Sequence, residues 1–274
     1  MYYRRRTYLE RKRKKLYFTN GMGNEICRLD IYSGKLEVRS LDFGCAAFCF
    51  SKNNELIVSA DNGVFILNDD NTTSPIYDAN KYNLEYCNDM KVGPDGRIYV
   101  GTQCGKRVGV SDKIDGKLYS IDKYGNVCVL LDNIILSNGL EWSIDEKRFY
   151  HTDSETGIIK EYDFDKVSGT IEFTGRQVNV PGVDGFTIDQ NGFLCVACWG
   201  YWHIAMVDTA DMQIKQYIEV STRAPASCGF VGDDMDVLAI TTASVGLDTT
   251  KYENAGYTFL KKMEVGGRTP YLFG

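Results

Sequence analysis

The sequence predicts an all-β protein of 274 residues folded as a six-bladed β-propeller, with 1–274 as a single domain. Three observations predict it. A strand–turn–strand unit recurs with a period in the forties. No window carries a 3.6-residue apolar pattern long enough for a helix. Glycine is plentiful and proline scarce, 27 against 5, beside many tyrosines and isoleucines, which favours turn-rich β structure.

The best-formed copy of the unit is LSNGLEWSIDEKRFYHTD, from Leu136 to Asp153. Ser137-Asn138-Gly139 ends a hydrophobic run and reads as a turn. Leu140-Glu141-Trp142-Ser143 alternates as a strand, Ile144-Asp145-Glu146-Lys147 makes a polar turn, and Arg148-Phe149-Tyr150-His151 is the next strand.

Six strand cores match this unit: Leu16-Tyr17-Phe18, Leu56-Ile57-Val58, Ile98-Tyr99-Val100, Phe149-Tyr150-His151, Leu194-Cys195-Val196 and Leu238-Ala239-Ile240. Their starts lie 40, 42, 51, 45 and 44 residues apart. A polar turn precedes each (SKNNE, GPDGR, IDEKR and DQNG are examples), and a second apolar strand follows most of them, as in ICRLDI, LYSID and IAMVD. Two stacked β-sandwiches are the rival architecture, but no linker divides the chain into halves. Six blades around one channel account for the repeat.

Composition narrows the function classes. Residues 1–15 hold eight Lys/Arg and one acid, which leaves 23 bases against 36 acids in the remainder. An acidic body repels nucleic acid, and the run Arg11-Lys12-Arg13-Lys14-Lys15 falls where other repeats have a solvated turn. With no signal-peptide pattern and no apolar run of membrane length, the nine cysteines are expected as free thiols of a cytoplasmic protein. Cys195-x-x-Cys198 lies within the apolar strand FLCVACW, where positions three apart face opposite ways, so it reads as structural. Two histidines, His151 and His203, are too few for a zinc cluster and argue against a Ser-His-Asp hydrolase.

In a propeller, groups far apart in sequence converge on the channel mouth from equivalent places in the repeat. Those places here are Cys87-Asn88-Asp89, Ser137-Asn138-Gly139, Val183-Asp184-Gly185 and Ala226-Ser227-Cys228, each read as a turn. Two asparagines and an aspartate there would offer oxygen donors to a hard cation such as Ca²⁺. The plainer reading is that Asn-Gly and Asp-Gly are ordinary turn formers.

The chain resembles the SMP-30/gluconolactonase/LRE-like family, six-bladed propellers that hydrolyse sugar lactones with a divalent metal. The resembling stretches are CNDMKVGPDGRIYVGT (87–102), LSNGLEWSIDEKRFYHTDS (136–154), PGVDGFTIDQNGFLCVACWG (181–200), PASCGFVGDD (225–234) and NAGYTFLKKMEVGGRTPYLFG (254–274). The resemblance implies that Asn138 and Asp184 are metal ligands, that Asp184 is also the acid/base, and that Asn88 faces substrate. Three positions depart from the family pattern. Arg4 falls where the family has a metal-binding glutamate, with Tyr8 on the tryptophan of the same GEGPxW-like segment. Tyr86 stands where an arginine is usual. Lys106 or Gly105 stands where an acidic substrate contact is usual. Glu141 follows Asn138 closely, but strand alternation does not aim it at the same ion.

The leading expectation is therefore a cytoplasmic lactonase acting on a sugar lactone or similar small ester. It would use Ca²⁺, or else Zn²⁺, Mn²⁺ or Mg²⁺, and be a monomer or weak homo-oligomer without nucleic-acid or membrane partners. The alternative is a catalytically silent propeller that binds a sugar acid or a protein partner. Trp199, Trp202 and the loop from Gly101 to Lys117 stand near the pocket, although tryptophan in a propeller is expected mainly to pack. Because only the first eight residues fail the blade pattern, and fail together, the first blade is expected to lack an N-terminal strand. That would make the chain an incomplete or frame-disturbed form of an active ancestor, with lowered stability, self-association and weakened metal binding.

Overall fold

Six antiparallel sheets stand as blades around a central channel in the computed structural model, which describes residues 15–105 and 114–274. Blade 1 holds β1 (Lys15–Asn20), β2 (Glu25–Asp30) and β3 (Leu36–Ser40). Blade 2 holds β4 (Ala47–Phe50), β5 (Leu56–Ala60), β6 (Gly63–Leu67) and β7 (Thr73–Pro75). Blade 3 holds β8 (Cys87–Val92), β9 (Ile98–Thr102), β10 (Gly116–Ile121) and β11 (Val127–Ile134). Blade 4 holds β12 (Ser137–Trp142), β13 (Arg148–Asp153), β14 (Ile158–Phe164) and β15 (Ile171–Asn179). Blade 5 holds β16 (Val183–Ile188), β17 (Phe193–Cys198), β18 (His203–Asp208) and β19 (Gln213–Glu219). Blade 6 holds β20 (Pro225–Val231), β21 (Val237–Thr242) and β22 (Thr258–Lys262). Among the described residues, helical structure is confined to the single 3₁₀ turns Gly21–Gly23 and Ser154–Thr156.

Five of the six predicted strand cores fall in the second strand of a blade, β5, β9, β13, β17 and β21, and the sixth, Leu16-Tyr17-Phe18, lies in β1, the first described strand of blade 1. The physical reason is double burial. A second strand is covered by neighbouring blades on both faces, so it reads as a continuous apolar run. Ile98, Tyr99 and Val100 are fully buried, as are Leu194, Cys195 and Val196. The outer strands face water on one side and alternate instead, as β3 does.

Blade-to-blade packing follows the same two-residue period. In β17, Leu194, Val196 and Cys198 join the core shared with Tyr150 and Ile159 of blade 4. Cys195 and Ala197 join the core shared with Cys228, Leu238 and Ile240 of blade 6. Cys195 and Cys198 thus point to opposite faces, and all nine cysteines are free thiols. The ring closes where Leu16 of β1 packs with Val231 and Ala239 of blade 6.

The inner strands β4, β8, β12, β16 and β20 line the channel, each neighbouring the next. Blade 1 has three described strands, so the expected missing strand, Arg4, Tyr8 and the basic positions 11–14 lie outside the described residues. Lys15 itself opens β1 and donates to Asp30 Oδ2 at 2.7 Å.

The segment from Gly266 to Gly274 straps the end of the channel reached by the polar turns. Gln190 N donates to Gly266 O at 2.8 Å, and Gly267 N donates to Met235 O at 2.8 Å. Tyr271 donates its hydroxyl to Glu146 Oε1 at 2.7 Å. Phe273 N donates to Phe50 O at 3.0 Å, Lys52 N donates to Phe273 O at 3.0 Å, and Gly274 N donates to Gly96 O at 3.1 Å. One segment thereby ties five blades together.

Arg268 anchors the strap. Its guanidinium donates to Ser143 O at 3.1 Å and pairs with the buried Glu141 carboxylate. Lys91 Nζ donates to the other oxygen of Glu141 at 2.9 Å and to Phe186 O at 2.6 Å. Burial alone would raise the Glu141 carboxyl, but the charges of Lys91 and Arg268 together hold it below the usual value. Removing one partner of such a group leaves a poorly compensated buried charge. Arg268→Ala should therefore cost about 3 kcal/mol of unfolding free energy, read as a lower urea midpoint with unchanged m. Thr269→Ala, on the same strap, serves as the control and should leave the midpoint within about 0.5 kcal/mol of wild type.

Candidate active site

At the mouth end of the channel, four inner strands share one irregularity. Pairing slips between Cys87 and Met90 in β8, between Asn138 and Leu140 in β12, between Val183 and Phe186 in β16, and between Pro225 and Ser227 in β20. These β-bulges are the four triplets read from sequence as turns. That reading is corrected: the triplets lie inside strands, where an extra residue re-aims side chains toward the channel.

The glycines in these bulges serve close approach. A Cβ on Gly139 would fall 2.2 Å from the Phe186 ring and 2.7 Å from Asp184 O. One on Gly185 would fall 2.5 Å from Ser227 Oγ. Glycine is what lets β12, β16 and β20 come this near one another.

Asn88, Asn138 and Asp184 are drawn together by a chain of hydrogen bonds across three blades. Asn88 Nδ2 donates to Ser137 O at 2.9 Å and to Asn138 Oδ1 at 2.7 Å. Asn138 Nδ2 donates to Ser154 Oγ at 2.9 Å, and Ser154 Oγ donates to Val183 O at 2.6 Å, beside Asp184. Ser59 in blade 2 extends the chain by donating to Asn88 O at 3.3 Å.

Asp184 is partly buried, and burial pushes its carboxyl up to about 8, with the neighbouring charge of Asp89 as the second cause. Burial also raises Asp89, whereas Lys91 lowers it. Two carboxylates thus share one mouth, where the charge of Asp89 adds to the rise at Asp184. Asp89 was given no role in the sequence, where Cys87-Asn88-Asp89 was read only as a turn at the mouth; the bulge in β8 sets it beside Asn88 within a strand. Its only sequence signal is its place next to Asn88. Ser154 was visible only as the residue closing HTDS, and Lys91 and Arg268 carried no local signal.

The donors gathered here are amide and carboxylate oxygens, the set that suits Ca²⁺ or Mg²⁺ better than soft metals. Among the described residues no group of three or more His, Cys, Asp or Glu is placed to hold a metal ion, at the mouth or elsewhere, so an ion at the mouth would depend on asparagine oxygens beside the carboxylates. Glu141 is committed to Lys91 and Arg268, away from the mouth oxygens. Ser137 Oγ lies 2.8 Å from His151 Nε2, but both are buried, and burial pushes the imidazole down to about 3. This pair fills the space beside Gly101, whose added Cβ would fall 1.8 Å from the hydroxyl oxygen, and is closed to substrate.

Tyr86 has a left-handed backbone, φ 55°, and its N donates to Asp61 O at 2.6 Å. Gly105 accepts from Gln103 Nε2 at 3.2 Å, whereas Lys106 lies outside the described residues. The expectation that Trp199 and Trp202 pack in the core is corrected: both rings are substantially exposed, on the turn between β17 and β18.

A raised carboxyl binds protons in the folded state that the unfolded chain has released, so its stabilising effect is full below about pH 4 and is lost as pH climbs through about 8. In chelator-treated protein the urea midpoint should fall between pH 5 and pH 8, and Asp184→Asn should flatten that fall. A steeper fall in the variant would contradict the assignment. Gly139→Ala should lower stability by about 1–3 kcal/mol through overpacking, checked by thermal melting.

The SMP-30/Gluconolactonase/LRE-like region profile matches residues 7–244. Regucalcin of Gallus gallus is 28% identical over 278 residues, covering 96% of this chain and 92% of the relative. A crystal structure of a calcium-binding protein, regucalcin, from Agrobacterium tumefaciens superposes with a TM-score of 0.84 at 23% identity, covering 96% of this chain and 90% of that one. A gluconolactonase from Xanthomonas campestris superposes with a TM-score of 0.70 at 18% identity, covering 85% and 80%. Because that profile spans residues 7–244, most of the chain, the chain belongs to the SMP-30/gluconolactonase/LRE-like family.

Proposed function

We propose that this protein hydrolyses a sugar lactone or a similar small ester with the help of a divalent metal. The observation that supports the reading most is the convergence of Asn88, Asn138 and Asp184, with Asp89 beside them, on one channel mouth. Asn138 and Asp184 would hold the ion, Ca²⁺ ahead of Zn²⁺, Mn²⁺ or Mg²⁺. When bound, the ion polarises a lactone carbonyl and lowers the pKa of water.

The chain's own groups do the rest. Asn88 is fixed by two hydrogen bonds and orients substrate through its amide. Asp184 takes the proton of the attacking water as the water oxygen bonds to the carbonyl carbon. It returns that proton to the ring oxygen as the C–O bond breaks, leaving the open hydroxy acid. A carboxyl near 8 can both accept and release a proton around neutral pH. Nine free thiols support the cytoplasmic assignment, and no described helix is long and apolar enough to cross a membrane.

With Ca²⁺, Mn²⁺ or Zn²⁺ the protein should hydrolyse glucono-1,5-lactone, and Asp184→Ala should lower kcat by at least about 10²-fold. Unchanged turnover in that variant would sink the mechanism. One observation favours a second reading, a silent propeller that binds a sugar acid or protein: Tyr86 replaces the arginine that the family resemblance places there, and its backbone is left-handed. Calorimetric titration with Ca²⁺ and Mn²⁺ separates the two. Micromolar binding supports the enzyme, and absent or millimolar binding supports the silent form.

A further inference from the structure

Beside the mouth lies an aromatic surface that the hydrolysis of a small lactone does not use. The turn Trp199-Gly200-Tyr201-Trp202 joins β17 to β18, and Trp199, Tyr201 and Trp202 are 38%, 50% and 42% exposed. Its place next to Asp184 is set by the backbone. Cys198 pairs with Val183, and Trp199 N donates to Gly182 O at 2.6 Å, two residues before Asp184. The Tyr201 ring covers Gly182 so closely that a Cβ there would fall 2.5 Å from it.

The surface is built rather than incidental. Trp202 adopts φ 64°, a left-handed conformation that a bulky side chain rarely takes and that glycine takes freely. Its carbonyl is held by Val220 N at 2.7 Å, and its ring meets Tyr252 of blade 6 edge-on at 5.6 Å. Gly200 N donates to Arg223 O at 2.9 Å, tying the turn to blade 6 as well. Tyr201 continues outward through His203 at 6.2 Å, and His203 reaches Tyr217 at 4.4 Å. A strained tryptophan in a row of aromatic residues left open to solvent beside the mouth is the kind of feature that ligand binding maintains.

We propose that this turn is a binding platform for a second pyranose ring, so that the preferred ligand is a disaccharide-derived lactone and its aldonate product. The reading rests on the lactonase proposal for the sugar acid at the mouth. A pyranose offers a flat C–H face to an aromatic ring and hydroxyls at its edge to indole N–H and phenol O–H groups. An acyl chain would be covered better by an enclosed apolar groove than by this open, polar-edged surface.

The test is binding, independent of turnover. Two of the three tryptophans lie on the turn, so intrinsic fluorescence reports on it directly. Gluconate and lactobionate are titrated into the Ca²⁺-loaded wild-type protein, Trp202→Gly and Trp199→Ala. Lactobionate should bind about tenfold more tightly than gluconate to wild type. That preference should vanish in Trp202→Gly, whose melting temperature should hold or rise because glycine suits the backbone. The proposal is overturned by equal affinity of the two acids, by failure of lactobionate to bind at millimolar concentration, or by a preference that survives both variants. Tighter binding of N-octanoyl homoserine lactone would overturn the sugar-ring occupant. Failure to hydrolyse glucono-1,5-lactone, with the lactobionate preference intact, would sink the lactonase reading and leave the platform standing.

Discussion

The narrowness of the channel is the constraint on which the rest of the structure depends. Blades that converge on one axis leave their inner strands almost no room, and at the mouth the strands touch through glycine. Gly139 lies against Phe186 and the Asp184 carbonyl, and Gly185 lies against Ser227. Side chains cannot pass through such contacts, so four of the five described inner strands, β8, β12, β16 and β20, insert an extra residue and bulge, whereas β4 keeps its register. The bulge takes backbone groups out of ladder pairing and offers them, with their side chains, to neighbouring blades. The Asn88–Asn138–Ser154–Val183 chain of hydrogen bonds results from that local loss of pairing.

The same narrowness concentrates charge. Asp89 and Asp184 share a partly buried mouth, where burial raises both carboxyls. Farther down, Glu141 is buried too, but there Lys91 and Arg268 each meet one of its oxygens. Among the described residues the channel therefore has a neutralised floor and a mouth where burial outweighs the pull of Lys91 on Asp89. A satisfied buried network rigidifies its surroundings, whereas an unsatisfied pair of carboxylates invites a cation or holds a proton. Lys91 links the two levels, because it binds Glu141 and the Phe186 carbonyl while lowering the pKa of Asp89.

The strap from Gly266 to Gly274 gives this floor its cover. It crosses five blades largely by backbone hydrogen bonds, which tolerate side-chain variation, and adds two side-chain anchors, Arg268 and Tyr271. At the opposite end, the turn holding Trp199 to Trp202 is tied by backbone bonds to Gly182, Val220 and Arg223, so its exposed rings stand on a fixed base.

Sequence alone determined the propeller, because both of its signals are periodic and local. Double burial writes the second strand of a blade as a short apolar run, and the polar turn before it joins that strand to the inner strand of the same blade. Five of the six runs are second strands, and the sixth opens the described part of blade 1. Asn88, Asn138 and Asp184 were legible as equivalent positions in that repeat, and the opposite facing of Cys195 and Cys198 followed from the strand period. Tertiary structure alone decided the rest. A bulge and a turn share the same residues, Asn, Asp and Gly, so Ser137-Asn138-Gly139 looked like a turn until its partner strand was in place. Asp89 became a mouth residue only through that change of register. Arg268 meets Glu141 across 127 positions, a contact with no local trace. The exposure of Trp202 is set by a left-handed backbone and by the space between two blades, neither of which is written in the residue itself.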